Sequence, residues 1–472
     1  MNETKTLADW VSSLRYQDIP EKVKVVARQF ILDNFGCQIA GATLPWSQTY
    51  YDVIRRTRSG KHSTVAYFGD KLSPDDAAFL NSTFNHANET DDTHLKSPTH
   101  PGGIAVPSAL AMAEYAKANG EKLLVAVVAA YEIQIRISWA CAPFLIYKGH
   151  HPPVGVGPFG AAAASAVLLG FDPLTTLNAL AIAGSHSAGL IEYTKTGGSV
   201  KRMHMGIPSQ AGVRSALFAE AGITGPHSIL EGEKGFCKVF AGEYDLNRLT
   251  EGLGTHYHTL DNALKPYSCC HLIHPAFDAL DQARDKHPIS PEQVRSIKVY
   301  TNSEPILSHI GSITEPQDIL GAQFSLPFSL AMRLHHGGRG VNGGNGFWDY
   351  PKVDVKDPRL LETARKVKCV VATNNEWAAV DKGAGIEIEM TDGRIISEVV
   401  AFSKGLPENP LSTQELHEKF HSLVDPVLPN GRPQKIIDAV DKVHEIENID
   451  DLVKLLIVPP TKRLTSVPSG QR

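Results

Sequence analysis

Two stretches of this chain, 121–141 and 157–170, are apolar on most of their circumference, and the second holds consecutive alanines at 161–164. A helix with one apolar stripe can lie on a surface. One that is apolar all round has no face to give to water and belongs inside other helices, and the alanines let a neighbouring backbone come close. A chain with two such helices needs a helical domain large enough to surround them; the 472 residues, 42% apolar, supply it, and two domains are expected at this length.

Helical spacing of apolar residues recurs at 6–14, 21–40, 74–84, 104–117, 174–188 and 209–221. Asp18 and Pro20 precede the second of these and Gly41 stops it, with Val25, Val26, Phe30 and Ile31 expected to face inward, while Gly222 ends the last. Near Lys265 the texture changes. Segment 294–301 (VRSIKVYT) alternates like a half-buried strand, 366–372 does so again, and 385–402 reads as a hairpin round Asp392-Gly393. Helical patterning returns at 413–424 and 433–443, and an apolar run occupies 452–458. These patterns define a mainly α chain with a small α+β segment, and they leave open whether the last helices rejoin the first domain. The Gly-rich segment 337–346 reads as a mobile loop.

A formal charge of -5 disfavours nucleic acid and anionic membrane as partners. The N-terminus has no apolar core after a basic start, and no stretch is expected to reach spanning length free of charge. Six scattered Cys, two of them adjacent at 269 and 270, fit reduced thiols and a cytoplasmic location.

The chemistry is concentrated in a loop at 88–103, NETDDTHLKSPTHPGG, braced by the apolar segment that follows it. Helix capping and catalysis fit Asp91, Asp92 and Thr93 equally; the setting of His100, before Pro101, favours function. Three further clusters carry His150 and His151, then Lys201, Arg202 and His204, then Lys265, Cys269, Cys270, His271 and His274. Together they supply cations and groups that titrate near neutrality, which suits a small anionic carboxylate and proton transfer at its α-carbon, where the developing enediolate needs preorganised positive charge. Lys201 and Arg202 also read as a solvated helix start, His204 as a core histidine, and the spacing of His271 and His274 fits a metal pair and ordinary helix packing alike. There is no H-E-x-x-H and no EF-hand loop, so no metal is expected. Gly338, Gly340 and Gly343 satisfy G-x-G-x-x-G without the strand before or the helix after, and Gly197-Gly198-Ser199 lacks a phosphate-loop ending, so no nucleotide cofactor is implied.

The blocks DDTHLKSPTHPGG (91–103), HHPPVGVGPFGAAAAS (150–165), VKRMHMG (200–206), TGPHSILEGEKGF (224–236), KPYSCCHLIHPAFDAL (265–280) and FSLPFSLA (324–331) resemble, in order, those of the MmgE/PrpD family of dehydratases, decarboxylases and epimerases. The resemblance implies a large all-helical domain built from both chain ends (1–264 and 405–472), an inserted α+β lid (265–404), a homodimer, and cofactor-free chemistry on small di- or tricarboxylates. It places the family's loop Asp on Asp91 or Asp92, its Thr on Thr93, its loop His on His100, and the His before Pro-Pro on His151. The helix Lys falls on Lys201, the lid-junction Lys on Lys265, and the following His on His271 or His274. Two departures stand out: Glu89 where the decarboxylase pattern has Asp, and Phe328 where the family commonly has Tyr.

Dehydration of an alkylcitrate is the expected reaction, with Asp91, Thr93, His100, His151 and Lys201 as catalytic residues. Asp92, Arg202, His204, Lys265, His271 and His274 are the expected substrate contacts. Decarboxylation of an aconitate and epimerisation are the alternatives within this class. Outside it stand a metal-dependent hydrolase using Asp91, Asp92, His94 and His100, and a carboxylate-binding protein without turnover.

Overall fold

A computed structural model of the chain describes residues 2–196, 198–301, 304–373 and 383–464, so Gly197 of the Gly-Gly-Ser stretch lies outside the described residues. The chain divides into two compact units. One takes the residues up to Ala87, Asp91–Ala263, and those from Phe420 on; the other takes Asn88–Thr90 and Leu264–Lys419.

The first unit is mainly helical: α1 Glu3–Ser13, α2 Glu21–Gly41, α3 Pro45–Thr57, α4 Pro74–Asn85, α5 Gly102–Tyr115, α6 Gly120–Cys141, α7 Phe144–Tyr147, α8 Pro152–Leu169, α9 Pro173–Ala183, α10 Tyr193–Thr196, α11 Gly206–Glu220 and α12 Asn247–Thr250. Helix α8 packs against α5, α6, α9 and α11, and the lack of a side chain at Gly212 of α11 lets its backbone approach the Pro158 carbonyl. Asn119 caps α6 by accepting from the Lys122 amide at 3.0 Å. Helix α8 begins five residues earlier than its apolar pattern suggests, because Pro152 and Pro153 occupy positions whose amides have no intrahelical partner anyway. Its residues carry no charge, so, contrary to the expectation, a stretch of spanning length free of charge does exist. Both α6 and α8 are long and apolar enough to cross a membrane, but their windows are 94% and 89% buried, and that apolar surface is already spent on neighbouring helices.

Three other details differ from the sequence reading. Val25 is exposed at 39%, because the buried face of α2 runs Val23, Ala27, Phe30, Ile31, Asn34. Helix α3 was hidden by its low apolar content. The unit is also not purely helical: β1 Ser63–Thr64 pairs antiparallel with β2 Lys71–Leu72, and the buried Glu114 carboxylate accepts from Thr64 and from Lys71 Nζ. Towards the C-terminus, Tyr67 exchanges backbone hydrogen bonds with Leu456 and Val458 at 3.0 and 2.9 Å, which ties the segment after helix Ile449–Leu455 to this unit.

The second unit is built on four strands, β3 Val294–Thr301, β4 Val367–Val371, β5 Ala384–Met390 and β6 Ile395–Val400, in the order β4-β3-β5-β6. Only β3 and β4 run parallel. A bulge between Val294 and Ser296 shifts the phase of β3, so that Val294, Ile297, Val299 and Thr301 are the buried positions. Helices α13 His274–Lys286, α14 Glu304–Ile310, α15 Ile319–Gln323, α16 Leu326–His336 and α17 Pro358–Arg365 complete the unit. Phe277, Leu280, Phe328, Leu330, Ile386 and Ile388 are among its core residues. The Gly-rich segment is anchored rather than loose. The buried Arg333 pairs with Asp281 and donates to the Gly340 carbonyl at 3.2 Å, while the buried Asn345 donates to the Ser329 carbonyl at 3.0 Å.

Candidate active site

In the first unit, the end of α4, the loop before α5, the start of α8 and the short helical turn Ser199–Met203 each deliver one part of a polar cluster. His86 follows α4 as its capping residue. Lys201 Nζ lies 3.0 Å from His86 Nε2, and His86 Nδ1 lies 2.8 Å from Asp91 Oδ2. An ammonium can only donate, so Nε2 accepts and the ring proton sits on Nδ1, where it donates to Asp91. All three side chains are buried, which makes Lys201–His86–Asp91 a cation and an anion joined through one imidazole.

His100 Nδ1 lies 2.8 Å from the carbonyl oxygen of Asp92 and 3.8 Å from Asp91 Oδ2. A carbonyl accepts only, so Nδ1 carries the proton and Nε2 is the basic nitrogen. The His100 ring stands 5.0 Å from that of His86 and 6.5 Å from that of His151. His151 caps α8, and its Nδ1 meets His204 Nδ1 at 2.9 Å; Tyr193 packs edge-on against both rings. Burial, then the Lys201 charge, pushes His151 well below the usual histidine range and brings His204 down to about 3. Both rings are therefore neutral at neutral pH, one donating and one accepting.

The adjacent acid Asp92 faces a different environment. Its carboxylate accepts from the Gly102 amide at 3.0 and 3.1 Å, from Tyr131 Oη at 2.7 Å and from Asn262 Nδ2 at 2.5 Å. Burial raises its pKa to about 7, with Asp91 and Asp33 pushing the same way against the Tyr131 and Asn262 hydrogen bonds. These donors surround it and hold the N-terminus of α5. Thr93 is likewise engaged with the backbone: its amide and carbonyl pair with Ala263, and its hydroxyl donates to the Thr99 carbonyl at 3.3 Å. Arg202, far from being a solvated helix start, lies over the Trp46 ring at 3.9 Å and donates to the Ala87 carbonyl.

The second unit holds its own basic cluster. Lys265 Nζ donates to the Glu89 carbonyl at 3.2 Å and lies 3.7 Å from the Glu89 carboxylate; Lys419 donates to the Thr90 carbonyl at 2.9 Å. Glu89 is buried at φ 55, a left-handed conformation that costs a non-glycine residue roughly 1 kcal/mol and is held by these contacts. Gln323 donates to Asn88 and to the Ser268 carbonyl, fixing the same three-residue segment. His271 closes the loop before α13 and His274 begins that helix, their rings 4.8 Å apart; burial, then the charge of His271, pushes His274 well below its usual range. Phe328 lies fully buried in this unit's core.

The structure thus gathers Asp91, His100, His151, Lys201 and His204 in the first unit, and Lys265, His271 and His274 in the second. The ligand set of the hydrolase alternative is split: Asp92 is enclosed by its donors, and the His94 ring stands 6.4 Å from that of His258. His86, Asp91 and His100 do bring donor atoms within 4.8 Å of one another, but the Lys201 ammonium 3.0 Å from His86 is a built-in cation that competes with a divalent ion there. Sequence reasoning passed over His86, Lys419 and Tyr193, and noted Glu89 without giving it a role. The signal for His86 was its place just beyond the helical pattern at 74–84, five residues before Asp91.

Comparison with known proteins reaches both units. Residues 5–249 match the MmgE/PrpD N-terminal domain and residues 267–445 the MmgE/PrpD C-terminal domain. A cis-aconitate decarboxylase of Aspergillus terreus is 28% identical over 97% of this chain and 96% of its own length. The cis-aconitate decarboxylases of Mus musculus and Homo sapiens are 27% and 25% identical, over 97% and 98% of this chain and 93% and 96% of theirs.

Proposed function

Because the chain belongs to the MmgE/PrpD family, matched in both its N- and C-terminal domains, we propose that it is a cofactor-free lyase that decarboxylates cis-aconitate or a close analogue to an itaconate-type product. The observation that carries this reading is the near full-length similarity to cis-aconitate decarboxylases of fungi and mammals. It reverses the order of preference drawn from the polar loop, in which dehydration came first. Acid and hydroxyl groups suggested the handling of a leaving hydroxyl, but Asp92 and Thr93 are engaged by the fold.

The reaction makes modest demands. The bond from the methylene carbon to its carboxylate breaks and carbon dioxide leaves. The electron pair moves into a new double bond, and the former vinylic carbon takes up one proton. No electrons are exchanged with a cofactor. The proton is assigned to His100 Nε2: the Asp92 carbonyl keeps a proton on Nδ1, Nε2 takes up a second one from solvent to make the imidazolium, and that proton passes to the vinylic carbon, whereas His151 is held neutral. Lys201, oriented by His86 and Asp91, supports the carboxylate on which negative charge accumulates, and the neutral His151–His204 pair donates a hydrogen bond to a second carboxylate. The expected substrate roles of Lys265, His271 and His274 remain part of the proposal, as does a homodimer.

Carbon dioxide release from cis-aconitate, 2-methylcitrate and iminodisuccinate tests this directly. The proposal expects release from cis-aconitate alone. Water loss from 2-methylcitrate without carbon dioxide from cis-aconitate would restore the dehydratase reading.

A further inference from the structure

Away from the His86–Lys201 cluster, the first unit gathers three more histidines around one carboxylate. Residues 256–261 read His-Tyr-His-Thr-Leu-Asp, and His258 and Asp261 bound a single helical turn. Asp261 Oδ2 lies 3.2 Å from His258 Nδ1 and 3.4 Å from His256 Nε2. His94 comes to the same place from the polar loop, and one donor atom each of His94, His258 and Asp261 lies within 4.8 Å of the others.

These spacings suit a small divalent ion. Neighbouring ligands of a tetrahedral ion with bonds of about 2.0–2.1 Å stand ~3.3 Å apart, close to both Asp261 contacts. Donors at the corners of a triangle with 4.8 Å edges lie ~2.8 Å from its centre, so each needs to move by at most ~0.7 Å to reach bonding distance. His94 and His258 are buried, while the Asp261 and His256 side chains are 29% and 58% exposed, which leaves an entry path from solvent. Burial pushes the Asp261 carboxyl up, but the His258 hydrogen bond and the charges of His258, His94 and Lys96 outweigh it and bring it down to about 2. A supporting contact exists as well. His94 Nδ1 accepts from the Ser97 backbone N–H at 3.2 Å and lies 2.7 Å from Ser97 Oγ, so the neutral ring carries its proton on Nε2; binding through Nε2 moves that proton to Nδ1, where Ser97 Oγ accepts it and donates in turn to Thr99 Oγ1 at 2.8 Å.

We propose that His94, His258 and Asp261, with His256 as an outer fourth ligand, form a binding site for a divalent ion of the zinc type. The ion braces the loop that carries Asp91 and His100. The two segments involved are already joined by the Thr93–Ala263 backbone pair at 2.9 and 2.8 Å, and the ion adds a second tie beside it. Where a ring nitrogen facing Asp261 carries the proton, binding moves that proton to the ring's other nitrogen. The ion takes no part in the decarboxylation, and the site departs from the sequence expectation of no metal.

Zinc titration of the chelator-stripped full chain, by calorimetry with a competing chelator, tests this. One equivalent is expected at micromolar affinity or tighter, with a rise in melting temperature. Asp261→Asn and His258→Gln should each weaken binding by at least about 10-fold. His256→Gln, on an exposed side chain, should weaken it by ~10-fold and serves as the test where a buried substitution unfolds the protein. His100→Gln should leave zinc affinity unchanged. Substoichiometric binding, wild-type affinity in both His256→Gln and Asp261→Asn, or loss of binding in His100→Gln would each overturn the site.

Discussion

Two adjacent acids in one loop differ in everything but sequence position. Asp91 is tied through His86 to Lys201, whereas Asp92 is enclosed by Gly102, Tyr131 and Asn262. Replacing Lys201 or His100 by Ala should leave a folded protein with kcat lowered by about 100-fold or more, the scale for losing a charge-stabilising or proton-carrying group; circular dichroism and steady-state kinetics check both halves. Asp92 gives a different signal. Its folded pKa is raised from an ordinary 3.8 to about 7. Between those values the folded protein holds a proton that the unfolded chain has lost, so this group's contribution to stability falls as pH rises from about 4 to about 7 and is flat above. Asp92→Asn should lack that decline, and urea midpoints of both proteins at pH 5 and pH 8 measure it. A smaller drop in wild type than in the variant would contradict the assignment. The sequence marked the loop, His100, His151 and Lys201 because polar residues crowd there. It could not separate Asp91 from Asp92, since only the fold decides which of two neighbours meets Tyr131 on α6.

At the scale of elements, α5 shows how a helix start is made to carry chemistry. Gly102 begins it, and a side-chain carbon there would stand 2.5 Å from Tyr131 Oη and 2.7 Å from the Asp92 carboxylate. Gly102→Ala should therefore cost about 1–3 kcal/mol in chemical denaturation, the scale for overpacking, and should lower activity by displacing His100 two residues away. Unchanged stability would mean that the loop yields without cost. Most elements were legible because periodicity reports burial: α4, α6, β3 and the β5–β6 hairpin lie where the patterns put them. Misreadings had local causes. The prolines at the head of α8 look like breakers but sit where a helix tolerates them. The Gly-rich segment looks mobile because composition does not show Arg333 and Asn345 fastening it.

On the scale of the whole molecule, the order of motifs along the chain was enough to reach the family, because each block keeps its place and both domains match. The reaction was not legible, since dehydration, decarboxylation and epimerisation all begin with charge developing beside a carboxylate and differ only in which bond is aligned with it. Full-length similarity to cis-aconitate decarboxylases tips that choice. The two departures, Glu89 and Phe328, fall in the second unit, and Glu89→Asp is expected to change KM for cis-aconitate more than kcat, as a shift in the Lys265 ammonium that Glu89 faces would do. The most direct measurement is proton NMR of cis-aconitate with the purified protein in deuterated water. The proposal predicts loss of the substrate's vinyl signal, two new vinyl signals of an itaconate-type product, and one deuterium in that product's saturated methylene, all at least about 100-fold slower in His100→Ala. Unaltered cis-aconitate, or turnover undiminished in His100→Ala, would contradict it.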